Sequence, residues 1–146
     1  DAGLDTLSSV ERYDPALDAW EAVAPMATER SNHGVAVLDD RLYAVGGRND
    51  DGYLSSVERY DPATDAWEAV APLTLARFGA GVAALEGKLY AVGGYYEAAE
   101  VERPAHTVER FDPATNTWEE VSPMATARAY HGVAVLDGKL YAVGGY

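Results

Sequence analysis

Histidines are the side chains of this sequence best suited to bind a metal ion or to transfer protons near neutral pH. His33 and His131 precede glycines at equivalent positions of two similar segments, whereas the stretch Phe78–Ala80 replaces that pattern in a third. His106 lies in a polar stretch and is expected to be solvated. The two equivalent histidines could bind a metal, but packing or hydrogen bonding is the interpretation we favour. We therefore predict no metal site.

Other catalytic chemistry has little support in the sequence. There is no cysteine, which excludes disulfides, Cys-ligated zinc and a thiol nucleophile. The HExxH, GxSxG and EF-hand motifs are missing as well. Carboxylates are plentiful, but most lie in predicted turns and no pair of them points to acid–base catalysis. We predict a protein that is not an enzyme and that uses no cofactor.

Charge and hydropathy argue against two further classes of partner. The formal net charge is −13, which disfavours binding to the phosphate backbone of a nucleic acid. No run of about 18 apolar residues is present, so no membrane-spanning segment is predicted. The first residues lack the basic and apolar regions of a signal peptide. Together with the lack of cysteine, this predicts a cytoplasmic protein.

Three segments of the chain are close copies of one another. "VERYDPALDAWEAVAPM" (Val10–Met26) recurs as "VERYDPATDAWEAVAPL" (Val57–Leu73) and "VERFDPATNTWEEVSPM" (Val108–Met124). The copies are 47 and 51 residues apart, and an insertion between Gly94 and Val108, "YYEAAEVERPAHT", explains the longer spacing. Self-similarity at such a period indicates a repeat architecture.

Each repeat contains four short runs rich in Val, Leu and Tyr, which suit pleated strands. In the middle repeat the predicted strands are His33–Leu38, Arg41–Gly47, Ser56–Asp61 and Ala66–Ala71. Asp-Pro and Asp-Gly dipeptides between the runs are turn signals. No segment has the pattern of a long amphipathic helix, so the predicted fold class is all-β.

Four strands in about 47 residues, a Gly-Gly pair after the second strand and a tryptophan in the fourth resemble the kelch repeat. The resemblance covers essentially the whole chain. It is closest to the kelch domains of the kelch-like substrate adaptors of cullin ubiquitin ligases, whose repeats carry similar "SVERYDP…W…VAPM…R…GVAVL…LYAVGG" strings. It implies a kelch β-propeller, in which each repeat forms one blade.

The resemblance also implies structural roles for residues that recur at one position of each repeat. The tryptophans are expected to fill the gaps between blades, and the tyrosines of the second strand to lie in the core. The glycine pairs would allow positive φ or close backbone approach. The recurring arginines would hold loop carbonyls or a repeated glutamate. These residues are Trp20, Trp67 and Trp118; Tyr43, Tyr90 and Tyr141; Gly46, Gly47, Gly93, Gly94, Gly144 and Gly145; and Arg30, Arg77 and Arg128.

The order of the strands predicts three blade equivalents per chain. Residues 1–25 would supply strands three and four of one blade, 26–72 and 73–123 would be whole blades, and 124–146 would supply strands one and two. Three blades do not close a ring, because propellers need about four to eight. Two chains would complete both half-blades, so we expect a C2 homodimer that forms one six-bladed propeller. A designed protein or an excised piece of a longer propeller is the alternative, and the missing initial Met fits either.

Loops that link strand two to three, and strand four to the next strand one, are expected on one face of the propeller. Binding residues sit there because rigid blades hold the loops. In the kelch-like adaptors this face binds a short partner peptide. The resemblance carries that role to the residues after each recurring arginine, those after each glycine pair, and one tyrosine between them: Ser31, Asn32, Arg48, Asn49, Tyr53, Phe78, Tyr95, Tyr96, Tyr130 and Tyr146.

The charge on this predicted rim differs from that of adaptors that bind acidic peptides, which present several arginines. Only Arg48 and Arg103 offer positive charge here. A basic or apolar partner is therefore as well supported as an acidic one. The opposing rim carboxylates are Asp50, Asp51, Glu97, Glu100 and Glu102.

Three functional hypotheses follow. The one that we favour is a protein-interaction scaffold that assembles with itself and binds a peptide or protein on its loop face. A sugar mutarotase-like kelch enzyme, which would use polar side chains at the channel mouth, is a second. The third is a propeller fragment or design with no biochemical activity. Copper chemistry of the galactose-oxidase type is excluded because it needs a Tyr–Cys crosslink.

Overall fold

The computed structural model describes residues 5–146. All regular secondary structure within that range is β-strand. This confirms the predicted all-β class. The sixteen strands of the described chain are β1 (Val10–Asp14), β2 (Ala19–Val23), β3 (Gly34–Leu38), β4 (Arg41–Val45), β5 (Arg48–Asn49), β6 (Gly52–Tyr53), β7 (Val57–Asp61), β8 (Ala66–Val70), β9 (Gly81–Leu85), β10 (Lys88–Val92), β11 (Tyr95–Ala98), β12 (Val101–Pro104), β13 (Val108–Asp112), β14 (Thr117–Val121), β15 (Gly132–Leu136) and β16 (Lys139–Val143).

Two four-stranded antiparallel sheets occupy the middle of the chain. One has the order β3-β4-β7-β8 and the other the order β9-β10-β13-β14. Both have the same register, because Tyr43 lies opposite Arg59 in the first sheet and Tyr90 lies opposite Arg110 in the second. Each sheet is therefore one copy of the same four-stranded unit.

Two separate two-stranded sheets flank these units. In β1–β2, Tyr13 lies opposite Trp20, as Tyr60 lies opposite Trp67 in β7–β8. The β15–β16 hairpin has the register of β3–β4. The first hairpin thus matches the last two strands of a four-stranded unit, and the last hairpin matches the first two strands.

The strands of the middle repeat agree with the prediction to within two residues at each end. The largest difference is at the end of β4, which was expected to reach Gly47 but ends at Val45. Gly46 and Gly47 have φ values of 62° and 98°, and such positive φ values are incompatible with a pleated strand. The glycine pair ends the strand and turns the chain toward the next loop.

Two short hairpins lie outside the predicted four-strand pattern. The longer one, β11–β12, consists of the insertion and pairs Tyr95 with Pro104. Its turn residues, Ala99 and Glu100, have φ values of 52° and 62°. Positive φ at both positions matches the twist of a two-stranded ribbon. The sequence did not predict this hairpin, because Ala-Glu lacks the Asn-Gly or Asp-Gly signal of such a turn.

The core lies between the sheets, where the first strands of successive units approach each other. Strand β9 contacts both β3 and β15. Gly34 and Gly81 leave no room for a methyl group, because the side chains of Val82 and Val133 occupy that space. Stacked faces of this kind are typical of propeller blades. The buried cluster consists of Leu38, Tyr43, Val45, Val57, Leu73, Val82, Leu89, Ala91, Phe111 and Trp118.

Between residues 5 and 146, the structure contains no helix that could cross a membrane.

Candidate functional site

The loops after β2, β8 and β14 meet the loops that follow the glycine pairs. In each repeat the residue after the recurring arginine exchanges backbone hydrogen bonds of 2.8–3.1 Å with the residue after the glycine pair. Two predicted groups of rim residues are therefore neighbours in space at one end of the sheets, which we call the loop face. The pairs are Ser31–Arg48, Phe78–Tyr95 and Ala129–Tyr146.

The next residue of each repeat connects neighbouring units around the inner edge of the loop face. Gly79 donates its N–H to the carbonyl of Asn32 at 2.7 Å, and Tyr130 donates to the carbonyl of Gly79 at 2.8 Å. All three residues have positive φ, including 52° at Tyr130, which is unusual for an aromatic residue. A Cβ atom at Gly79 would lie 3.1 Å from the Tyr130 ring, so the glycine makes room for that ring.

Five of the predicted rim residues form a continuous row of aromatic rings, the aromatic row. Successive centroids are 4.8 Å apart for Tyr53–Phe78, 5.5 Å for Phe78–Tyr95, 5.9 Å for Tyr95–Tyr130 and 6.4 Å for Tyr130–Tyr146. Phe78 is buried, whereas Tyr130 is 46% exposed and Tyr146 is 81% exposed. The row thus runs from a buried anchor to an open surface.

Polar contacts hold the Tyr53 end of the row. The guanidinium of Arg48 lies over the Phe78 ring, 5.0 Å from its centroid, in a cation–π arrangement. The hydroxyl of Tyr53 donates to the carboxylate of Glu102, which comes from β12. This hydrogen bond, with burial as a smaller cause, raises the pKa of Tyr53 to about 12. The insertion hairpin therefore reaches the rim of the preceding repeat.

The remaining predicted rim residues lie beside the row. The side-chain oxygen of Asn49 accepts the N–H of Asp51 at 3.0 Å, which shapes the short β5–β6 turn. Tyr96 lies opposite Arg103 in the insertion hairpin. Asn32 is exposed and Ser31 half-buried. The structure therefore places all ten residues on the loop face, and it adds that Glu102, expected only as an opposing rim carboxylate, bonds directly to one of them.

The recurring arginines of the first two repeats make identical buried contacts. Arg30 and Arg77 pair through Nη2 with the carboxylates of Glu58 and Glu109, each at 2.8 Å. Their Nη1 atoms donate to carbonyls of the glycine-pair loops at 2.7 Å. Burial lowers the pKa of Arg77, and the charge of Glu109 opposes that shift. Each arginine thus ties the glycine-pair loop to the third strand of its own sheet.

The comparison with known proteins agrees with these repeated contacts. A family model described as the Kelch motif matches residues 1–27, 29–74, 76–125 and 127–146. The chain belongs to the kelch-repeat family. It is 42% identical to human Kelch-like protein 28 over 140 residues, which are 96% of this chain and 17% of that protein.

Two other kelch relatives are similar along most of the chain. Kelch-like protein 36 of Bos taurus is 38% identical over 147 residues, which cover 99% of this chain and 23% of the relative. Kelch-like protein 26 of Danio rerio is 38% identical over 134 residues, which cover 92% and 22%. The chain therefore spans less than a quarter of the length of these relatives.

In the last kelch repeat the recurring arginine has a different environment. Arg128 Nη1 donates to the carbonyl of Gly144 at 2.7 Å, as in the other repeats. Within residues 5–146, however, no carboxylate forms a salt bridge with Arg128. The glutamate at the position of Glu58 and Glu109 is Glu11, which is exposed on β1.

The three kelch tryptophans differ in the same way. Trp118 is 9% exposed and donates its indole N–H to the carbonyl of Ala71 at 2.8 Å. Trp67 is half-buried and donates to the carbonyl of Ala24 at 2.8 Å. Trp20, in the first hairpin, is 68% exposed. Each of the two covered tryptophans thus contacts the end of the preceding repeat.

The kelch glycine pairs approach the backbone of the next repeat. A Cβ atom at Gly46 would lie 2.6 Å from the carbonyl oxygen of Arg77, and one at Gly93 would overlap the carbonyl oxygen of Arg128. At Gly144 no described atom lies within 4 Å of that position. Close approach to the next repeat therefore requires glycine at the first position of the first two pairs.

The two equivalent histidines line a cavity at the inner end of the kelch repeats. His131 is 8% exposed, and neither of its ring nitrogens has a hydrogen-bond partner among the described residues. Burial, and secondarily a nearby arginine, lowers the pKa of both His33 and His131. In the range 5–146, no group of three or more His, Asp or Glu side chains could hold a metal ion. The cavity is lined by Asn32, His33, Gly79, Ala80, Tyr130 and His131.

Proposed function

We propose that this chain is a protein-interaction scaffold that forms a six-bladed kelch propeller with a second copy of itself and binds a peptide or protein on its loop face. The observation that carries the proposal is a set of contacts that recurs in both four-stranded units: a buried Arg–Glu pair, the pairing of the second strand with the third, and covered apolar side chains. At both end hairpins of the described chain, the same residues lack these partners. The two end hairpins have complementary parts of that set. The cytoplasmic location stays a prediction.

The buried ion pair is the strongest element of this complementarity. Glu58 and Glu109 each lie on the third strand of a sheet and pair with the arginine that precedes the first strand. Arg128 precedes β15, and Glu11 lies on β1 at the equivalent position. Placing β1 of one chain beside β16 of another brings Glu11 to Arg128 with the geometry of the two observed pairs.

Strand pairing supplies a second element. In the whole sheets the second strand pairs with the third through Leu42–Tyr60, Tyr43–Arg59, Ala44–Glu58 and Val45–Val57. The same register between β16 and β1 of a second copy satisfies backbone groups along both edges, and open edges are otherwise prone to unspecific association. It predicts the partners Leu140–Tyr13, Tyr141–Arg12, Ala142–Glu11 and Val143–Val10.

Apolar surface supplies the third element. Tyr141 and Val143 are 45% and 64% exposed, whereas their equivalents Tyr43 and Val45 are 1% and 2% exposed. Full burial of a side chain of the size of valine contributes roughly 1.5–3 kcal/mol. Covering β15–β16 with the β1–β2 hairpin of a second copy therefore favours association, and the two-fold axis repeats the gain at a second seam.

The contact between successive blades continues across the same seam. Gly47 and Gly94 donate their N–H groups to the carbonyls of Arg77 and Arg128 at 2.9 Å. Gly145 is the third equivalent glycine. In the proposed ring its N–H donates to the carbonyl of Arg30 of the second copy. Three blade equivalents from each chain then give a ring of six with the same relation between all neighbours.

An engineered disulfide tests this assembly directly, because the unmodified chain contains no cysteine. Val10 and Val143 of different chains become opposite neighbours, and such Cα atoms are about 4.5–5.5 Å apart, within disulfide reach. We expect Val10→Cys/Val143→Cys to form a covalent dimer on oxidation, at about 31 kDa, twice the 15.6 kDa of one chain. Each single variant is the control.

Light scattering of the unmodified chain completes this test. The expected species has about twice the mass of one 15.6 kDa chain. Glu11→Ala should shift it toward the monomer, because Arg128 then loses its carboxylate at both seams. Glu86→Gln, in a turn away from the seam, is the matched control. A folded 15.6 kDa species for the unmodified chain, or an intrachain disulfide in the double variant, contradicts the proposed dimer.

The loop face is the proposed binding surface for a peptide or protein. It is supported by the exposed half of the aromatic row, because Tyr side chains contribute large contact areas in interfaces. A peptide array probed with the protein tests this role. We expect bound spots to weaken on Tyr95→Ala and on Arg48→Ala but not on Glu86→Gln. Array binding that survives both loop-face substitutions places recognition elsewhere.

A further inference from the structure

We propose that the partner of the aromatic row is a basic segment whose arginine side chain stacks on Tyr130 and Tyr146. The inference rests on the proposed role of the loop face, and it defines the chemistry of the ligand. A single chain supplies all five rings of the row, and the exposures used below are those of a single chain.

The row already accommodates one guanidinium. Arg48 lies over Phe78 at 5.0 Å, and the two Tyr neighbours of Phe78 have centroids 4.8 and 5.5 Å from its own. Guanidinium groups are planar and weakly hydrated, so they stack on aromatic faces more readily than ammonium groups do. The Arg48–Phe78 contact is therefore an internal example of the interaction that we assign to the partner.

The other end of the row has open rings. Tyr130 and Tyr146 meet at 89° with centroids 6.4 Å apart, so the face of one ring lies beside the edge of the other. Both are among the most exposed aromatic side chains of the described chain. Between residues 5 and 146, cations lie over Phe78 and Tyr43 but over neither of these two rings. In the described single chain, a cation from a partner can reach them without displacing a side chain.

The position of Tyr130 is fixed before any ligand binds. Its N–H donates to the carbonyl of Gly79, and its ring lies against Gly79 and at 5.9 Å from the Tyr95 centroid. Because the ring is already held, binding costs little side-chain entropy, which favours affinity. A stacking platform of this kind suits a flat, charged group.

Carboxylates outnumber arginines on the loop face and favour a cationic occupant. Asp50 and Asp51 form the β5–β6 turn, and Glu102 bonds to the Tyr53 end of the row. The whole chain carries a net charge of −13, so the field attracts basic segments and repels acidic ones. The aromatic faces and the carboxylates therefore favour the same ligand, an arginine-containing segment.

Four synthetic 12-residue peptides test the inference by fluorescence anisotropy. They share a Gly/Ser background and carry three Arg, three Lys, three Glu or three Leu residues. We expect the Arg peptide to bind more tightly than the Lys peptide by roughly two- to fivefold, the range of an exposed cation–π contact. The Glu peptide should not bind, and affinity for the Arg peptide should fall as salt increases.

Two variants separate stacking from charge. Tyr130→Ala should reduce the preference for Arg over Lys, because it removes the stacking ring. Asp50→Asn/Asp51→Asn should weaken binding of the Arg and Lys peptides alike, most strongly at low salt. Asp39→Asn/Asp40→Asn is the matched control, since it removes the same charge from the turn at the opposite end of β4 and should leave binding unchanged.

Several outcomes overturn the inference. Tighter binding of the Glu or Leu peptide overturns the basic ligand but keeps the loop face as a binding surface if Tyr130→Ala weakens it. Equal affinity of Tyr130→Ala and the natural chain for the Arg peptide, or binding of none of the four peptides, overturns the stacked arginine. Light scattering of the same samples reports separately on the dimer.

Discussion

Arg77 and Arg128 occupy the same position of successive repeats, shortly before the first strand of the unit. Arg77 is 1% exposed and paired with Glu109, whereas the side chain of Arg128, among residues 5–146, keeps only the hydrogen bond to the carbonyl of Gly144 and is half-buried. Arg30, which is flanked by nearly the same residues as Arg128, is also buried and paired, so the difference does not come from local sequence. It shows that the third strand of a blade supplies the carboxylate that makes the arginine a buried structural element, and that Glu11 is the unused copy of that carboxylate.

The largest expected effect comes from removing the side chain of Arg77, the buried arginine of the two. Arg77→Ala leaves Glu109 buried without its partner, and breaking a buried ion pair costs about 3–5 kcal/mol. The loss should appear as a lower free energy of unfolding in denaturant titration, with little dependence on protein concentration.

Arg128→Ala is the comparison for that experiment. In the proposed dimer it removes a seam contact, so its effect should grow as the protein is diluted. An equal and concentration-independent loss in both variants contradicts the proposed Glu11–Arg128 contact.

The tryptophans sharpen the same comparison. Trp118→Ala removes a side chain that is 9% exposed and bonded to Ala71, and such a truncation costs about 3–5 kcal/mol. Trp20 is 68% exposed within one chain, so Trp20→Ala should have little effect on a monomer and should weaken the dimer. Unfolding curves at several protein concentrations distinguish these results. A concentration-independent loss for Trp20→Ala contradicts the predicted seam.

A smaller effect is expected at the aromatic row. Gly79→Ala places a residue with a side chain at φ 65°, which costs roughly 1–2 kcal/mol, and its Cβ atom would press on the Tyr130 ring. Gly87→Ala is the matched control, because Gly87 has φ 73° but no atom within 4 Å of an added Cβ. Both should lose similar stability, whereas only Gly79→Ala should change near-ultraviolet circular dichroism and peptide binding. Identical spectra would argue against the described ring contact.

The smallest predicted effect is a pH dependence from His33 and His131, the two histidines that line the cavity. Their folded-state pKa is lowered, so the unfolded chain binds protons more readily, and stability rises with pH across that interval. The stability that the two neutral histidines add is fully present above the ordinary histidine pKa of about 6.5. It is lost as the pH falls below that value.

Melting temperatures between pH 7.5 and 5 measure this contribution. His33→Gln/His131→Gln should flatten the dependence on pH, and His106→Gln, at an exposed position, is the control. An unchanged slope in the double variant assigns the dependence to other groups.

Local patterns explain why much of the fold was predictable. Strands β7 and β8 follow from Val, Tyr and Trp between Asp-Pro turns, and the glycine pairs predicted the ends of the second strands to within two residues. The strands of the other repeats could be predicted as well, because their sequences are close copies of the unit that was interpreted first. The β11–β12 hairpin escaped prediction since its turn uses Ala99 and Glu100, residues that rarely adopt positive φ.

The candidate site was predictable by position but not by contact. The pattern of arginines and glycine pairs identified Phe78, Tyr95 and Tyr130 as rim residues, and the structure adds that their rings touch. The Tyr53–Glu102 hydrogen bond joins residues 49 positions apart and depends on where the insertion folds. No local signal in the sequence connects those two residues.

The sequence by itself determined the repeat, the strand pattern and the family, because hydrophobic periodicity and turn residues act over a few neighbours and recur every 47 to 51 residues. Only the tertiary structure decided which copies of one residue are covered. Burial depends on the packing of whole sheets against each other, so Arg77 and Trp118 are buried in a complete four-stranded unit. Arg128 and Trp20, of the same residue types and repeat positions, are half-buried and exposed.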